Sequence, residues 1–107
     1  MNSDIPLACN MGVFTPAQRE SHIRTTNELL RAVQRVLEVE NGYEFTFPSE
    51  AKVISRIAEF ISNERLCCPF LRFTLSVNSN HEPVSLSLTG PLGTQEFLRV
   101  EFDGAFQ

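Results

Sequence analysis

A chain of 107 residues with 42% apolar and 21% charged side chains is long enough for one hydrophobic core and too short for two. Its formal net charge of −4, with no local cluster of basic residues, sets it against nucleic-acid backbones and anionic membrane surfaces. No stretch approaches the roughly 20 apolar residues of a membrane span, and the opening MNSDIPLACNMG lacks the basic and apolar regions of an export signal. A cytoplasmic protein with one domain over 1–107 is therefore expected.

Residues 1–14 are expected as an amino-terminal arm, and if it folds back across the end of the second helix it brings Cys9 to the Cys67–Cys68 pair. Thr15-Pro16-Ala17-Gln18 is a helix start, with Thr15 as cap, Pro16 in the first turn and Gln18 at the capping-box position. The first helix is expected to run to about Glu38, with Ile23, Leu29, Leu30, Val33 and Leu37 on one face. Arg24, Glu28, Arg31 and Arg35 form a charged stripe opposite. After the turn signal Asn41-Gly42, Tyr43, Phe45 and Phe47 alternate with Glu44 and Thr46, as a half-buried strand requires.

Ser49 is placed to cap a second helix carrying Val53, Ile54, Ile57, Phe60 and Ile61 on one face, ending near Arg65 because Pro69 disfavours helical geometry at Cys68. Leu71, Phe73, Leu75 and Val77, then Val84, Leu86 and Leu88, alternate with polar residues across the loop NSNHEP and predict a hairpin with one apolar face. Thr94 to about Phe102 predicts a last helix. The fold class is α+β in the order α-β-α-β-β-α, with helices on one face of a three-stranded sheet. If the first two strands run parallel, the third fits between them in a split β-α-β arrangement. The Ser/Thr-rich sheet face would then meet solvent or a second copy of the chain in a homodimer.

The chemistry-bearing residues gather around ERLCCPF, residues 64–70. Glu64 follows Phe60 by four and Ile57 by seven residues, so its carboxylate points to the apolar side of the second helix. Arg19 and His22 share the inward face of the first helix in this reading, and either would give Glu64 the partner a buried carboxylate needs. Such a clamp between two helices needs no ligand. His81, in a polar loop, reads as a solvated histidine.

Three cysteines without an export signal argue against a disulfide framework and for reduced thiols, ligands or redox groups. Neighbouring α-carbons lie about 3.8 Å apart, below the usual disulfide range, so a Cys67–Cys68 bond would be a poor staple. A helix carboxy-terminus disfavours a thiolate nucleophile, and no C-x-x-C is present. The same negative end suits a thiophilic cation, zinc among them, bound by Cys67 and Cys68 with Cys9 and His22 completing the set and Glu64 and Arg19 behind it. The plain alternative makes Cys67 and Cys68 small buried hydrophobes and Cys9 incidental.

ERLCCPFLRF and LTGPLGTQEFL resemble the pattern E-R-x-C-C-P-F-L-x-F followed by L-T-G-x-x-G-x-x-x-F-L of a family of small bacterial proteins. Leu7-Ala8-Cys9-Asn10 and Thr15, Pro16, Arg19 and His22 match its opening L-A-C-N and T-P-x-x-R-x-x-H. The resemblance spans residues 5–102 and implies no particular activity. It implies that Cys9, Arg19, His22, Glu64, Cys67 and Cys68 belong to one site. The expected function is binding of a soft metal or metalloid ion, without catalysis; the alternatives are a thiol-dependent enzyme or redox sensor, and an interaction protein that dimerises through its sheet. No phosphate loop, Ser/His/Asp arrangement or H-E-x-x-H helix is visible.

Overall fold

The computed structural model describes residues 7–106. A 3₁₀ turn at Met11–Val13 leads into helix α1, Pro16–Ala32. Thr15 Oγ1 accepts from Gln18 N–H at 3.2 Å while Gln18 Oε1 accepts from Thr15 N–H at 2.9 Å, so the capping box forms as its residues dictate. The helix stops six residues before the expected end. Residues Arg35–Val39 form strand β1, which turns through Glu40 and Asn41 into β2, Gly42–Phe47. The sheet therefore has four strands rather than three, and the order is α-β-β-α-β-β-α. Val33, Val36 and Val39 are β-branched, and pairing with β2 in the register Val36↔Phe45 and Val39↔Gly42 outweighs the helical spacing of the apolar residues.

Asn41 turns the hairpin at φ 57°, a left-handed conformation asparagine tolerates. A side chain at position 42 would meet the backbone of Leu88, with its Cβ 1.9 Å from the carbonyl oxygen, so only glycine lets β2 lie against its neighbour here.

Helix α2 spans Ala51–Cys67, with Glu50 rather than Ser49 in the capping position and no side-chain cap bond. It is followed by β3, Arg72–Ser76, and β4, Val84–Thr89. The sheet order is β1-β2-β4-β3, every neighbouring pair antiparallel. Since β4 is antiparallel to both β2 and β3, those two run in the same direction and are joined by α2. Helix α3, Thr94–Glu101, and a 3₁₀ turn at Asp103–Phe106 close the chain.

The helices cover the sheet face built from Tyr43, Phe45 and Phe47 of β2 and Val84, Leu86 and Leu88 of β4, all buried. On α1 the inward face is His22, Thr25 and Leu29; Ile23 is 47% exposed, so the core stripe lies about one residue round from the expected one. On α2 it is Val53, Ile57, Phe60, Glu64 and Cys67. A carboxylate and a thiol thus occupy positions where periodicity calls for hydrocarbon. No helix among the described residues is long and apolar enough to cross a membrane.

Candidate thiol and carboxylate site

Glu64, Cys67 and Cys68 stand at i, i+3 and i+4, the spacing that stacks side chains on one helix face. Cys67 is the last helical residue. Cys68 leaves the helix at φ −120° and ψ 77°, the extended bias imposed by the following proline, while its N–H still donates to the Glu64 carbonyl at 2.8 Å. The chain turns at once, with Leu71 N–H donating to Cys68 O at 3.2 Å. Both sulfurs stay inward as a result: Cys67 is 1% and Cys68 0% exposed, with Sγ atoms 3.8 Å apart.

The amino-terminal segment supplies the third sulfur. Asn10 N–H donates to the Cys67 carbonyl at 2.7 Å, satisfying one of the acceptors a helix leaves open at its end. Asn10 Oδ1 accepts from Gly12 N–H at 3.0 Å and fixes the turn that follows. This places Cys9, half-buried, beside Cys68, and the two form a disulfide with Cα atoms 4.4 Å apart, leaving Cys67 as the free thiol. The odd cysteine count argued for three unlinked sulfurs; the fold instead links two, because the helix end captures the segment that carries Cys9.

Glu64 joins the elements. Its Oε1 lies 2.6 Å from His22 Nε2 and 3.6 Å from Cys67 Sγ. Its Oε2 lies 3.1 Å from Cys68 Sγ and 3.9 Å from Cys9 Sγ. A disulfide sulfur has no proton to donate, so in the oxidised form Oε2 only abuts the bond; reduction would turn these contacts into S–H···O hydrogen bonds. His22 is 3% exposed, wedged between Phe14 and Phe60 at ring distances of 5.4 and 5.7 Å, and its Nδ1 has no partner. A bare buried N–H is rarer than a bare acceptor, so the favoured tautomer carries its proton on Nε2 and donates it to Glu64.

Burial, then the charge of Glu64 and its hydrogen bond, push the Cys67 thiol up to about 12; Glu101 at the end of α3 adds a smaller push. Glu101 itself is raised by partial burial and by Glu64. The folded protein holds the Cys67 proton more tightly than an unfolded chain, whose thiol has an ordinary value of 9.0. The stability this contributes is complete below about pH 9 and is lost as pH rises towards about 12. Urea unfolding at pH 8 and pH 10.5 should show a loss that Cys67→Ala reduces; equal losses in the two proteins would refute the linkage.

The structure brings Cys9, Glu64, Cys67 and Cys68 together, their ligand atoms all within 4.8 Å of one another, and sets His22 on Glu64. Arg19 is exposed on the first turn of α1, and the partner that Glu64 takes from that helix is His22. Two contributors went unnoticed in the sequence. Asn10 acts through its backbone and leaves no residue-type signal, and Glu101 is felt only because α3 ends near the cluster. The class defined by fold and site is an α+β protein with a buried thiol and carboxylate cluster where its amino-terminal segment meets the end of α2. No family model, curated protein or solved structure matches the chain.

Proposed function

We propose that the reduced protein binds a soft metal or metalloid ion through Cys9, Cys67 and Cys68, with Glu64 as the available oxygen donor and His22 orienting it. The observation that carries this reading is the convergence of three sulfurs and one carboxylate oxygen within 4.8 Å. For a tetrahedral ion with metal–sulfur bonds of about 2.3 Å, sulfurs sit about 3.8 Å apart, and a sulfur and an oxygen about 3.5 Å apart. The Cys67–Cys68 separation of 3.8 Å and the Cys67–Glu64 separation of 3.6 Å suit such a centre. Opening the Cys9–Cys68 bond frees the remaining sulfurs. Relative to the sequence expectation, Glu64 and His22 exchange places: the carboxylate faces the sulfurs and the imidazole stands behind it.

The disulfide favours a second reading, thiol redox chemistry, and two features weigh against it. In-line attack by Cys67 on Cys68 would put Cys67 Sγ about 5.8 Å from Cys9 Sγ, yet the two lie within 4.8 Å. The Cys67 thiol, pushed up to about 12, also supplies little thiolate at neutral pH.

The test is equilibrium uptake of Zn(II), Cu(I), Hg(II) and As(III) by the reduced protein. One ion per chain is expected, with uptake abolished in Cys67→Ser and Cys68→Ser and suppressed in the oxidised protein. Absence of binding of all four at micromolar concentrations would remove the proposal. Fast alkylation of Cys67 at neutral pH would favour the redox reading.

A further inference from the structure

We propose that the ion taken by this site is a trivalent, hydroxide-bearing metalloid of the arsenite type, captured by all three sulfurs once the Cys9–Cys68 bond has been reduced. This rests on the ion-binding reading above and narrows it by charge and by the number of free donors.

Glu64 brings a carboxylate into the cluster, held by His22 at 2.6 Å. Glu64 is buried, and Glu101 acts electrostatically on both Glu64 and Cys67. A divalent ion bound by three thiolates and the Glu64 carboxylate would leave a net charge of −2 where Cys67 and Cys68 are 1% and 0% exposed. Uncompensated charge in such a place is costly, and Arg19, Arg65 and Arg72 are all exposed. A trivalent centre with three thiolates is itself neutral, so the same groups, Glu64 included, carry −1 rather than −2.

Donor number points the same way. A divalent ion such as zinc takes four ligands, and the fourth here would be an oxygen of Glu64, whose carboxylate can keep its bond to His22 but adds a further negative charge to the centre. A trivalent metalloid is satisfied by three sulfurs in a pyramid. Glu64 can then remain on His22, outside the coordination shell, with its oxygens 3.1 to 3.9 Å from the three sulfurs.

The steps balance. Two molecules of a small thiol reduce the disulfide, giving Cys9 and Cys68 thiols and one small-molecule disulfide. Attack falls on Cys9, the half-buried partner, because Cys68 is fully buried. Neutral As(OH)₃ then exchanges its three hydroxides for three sulfurs. Three S–H and three As–O bonds break, three As–S bonds form, and the protons leave with the hydroxides as three waters. Arsenic stays trivalent and no net proton is released, whereas zinc binding to protonated thiols must expel them.

The experiment is competition between sodium arsenite and zinc chloride for the reduced full chain at pH 7, with X-ray absorption at the arsenic edge. The expected result is one arsenic per chain, bound at least tenfold more tightly than zinc, with three sulfur neighbours and no oxygen. Cys9→Ser should leave two sulfur neighbours and weaken arsenite at least tenfold. Zinc binding as tight as arsenite, or an arsenic centre with two sulfurs and an oxygen in the unaltered protein, would overturn this inference and leave the ion-binding reading standing. Failure of both ions and of Cu(I) and Hg(II) to bind would overturn that reading as well.

Discussion

Reducing the Cys9–Cys68 bond, or replacing Cys9 with Ser, is expected to lower the unfolding free energy by about 4 kcal/mol. The bond joins residues 59 apart, and closing so long a loop removes much of the freedom of the unfolded chain. For a domain of this size the melting midpoint should fall by roughly 15–30 °C. The native contacts of residues 7–14 need not change, since Asn10 still bonds the Cys67 carbonyl and Phe14 stays buried. Thermal melts with and without a phosphine reductant measure the effect. A shift of only a few degrees would mean that the loop is already held closed in the unfolded chain, or that the bond gives nothing. If the reduced site binds an ion, saturation at 100 times Kd should restore about 2.7 kcal/mol of the loss.

The second large effect concerns Glu64 and His22. Replacing Glu64 with Leu strands His22 Nε2, whose ring is buried and whose Nδ1 already lacks a partner. Replacing His22 with Phe strands the Glu64 carboxylate beside three sulfurs. Each single change should cost about 3–5 kcal/mol, because a buried polar or charged group is left without its complement. The double variant His22→Phe with Glu64→Leu should cost well under the sum, since no orphan remains and Phe14 and Phe60 already offer aromatic walls. Chemical denaturation of the four proteins closes the cycle. Costs that simply add would show that the 2.6 Å contact carries no coupling. Loss of ion uptake in a double variant that still folds would place the pair in the binding site rather than in the scaffold alone.

Much of this arrangement could be read without coordinates. The capping box at Thr15, the alternation of Tyr43, Phe45 and Phe47, the β3–β4 hairpin and the last helix from Thr94 are local patterns, and local geometry enforces them. The inward aim of Glu64 followed from its four-residue and seven-residue offsets from Phe60 and Ile57. The stretch from Val33 to Val39 is ambiguous by itself, because its apolar residues suit a helix by spacing and a strand by β-branching. Only the partner strand beyond Asn41-Gly42 breaks that tie.

The sequence by itself determined the inward face of α2, that this helix must end before Pro69, though two residues beyond the expected Arg65, and that two adjacent thiols would sit at its carboxy-terminal end. It did so because helix periodicity and the proline constraint act over a few residues. Tertiary structure alone decided that Cys9 reaches Cys68, that Glu64 is held by His22 rather than Arg19, and that Glu101 presses on the cluster. These depend on how α1, α3 and the amino-terminal segment converge on the end of α2 from more than 30 residues away along the chain. Contacts at that range are selected by packing and by the need to satisfy an open helix carbonyl, and no short motif encodes them.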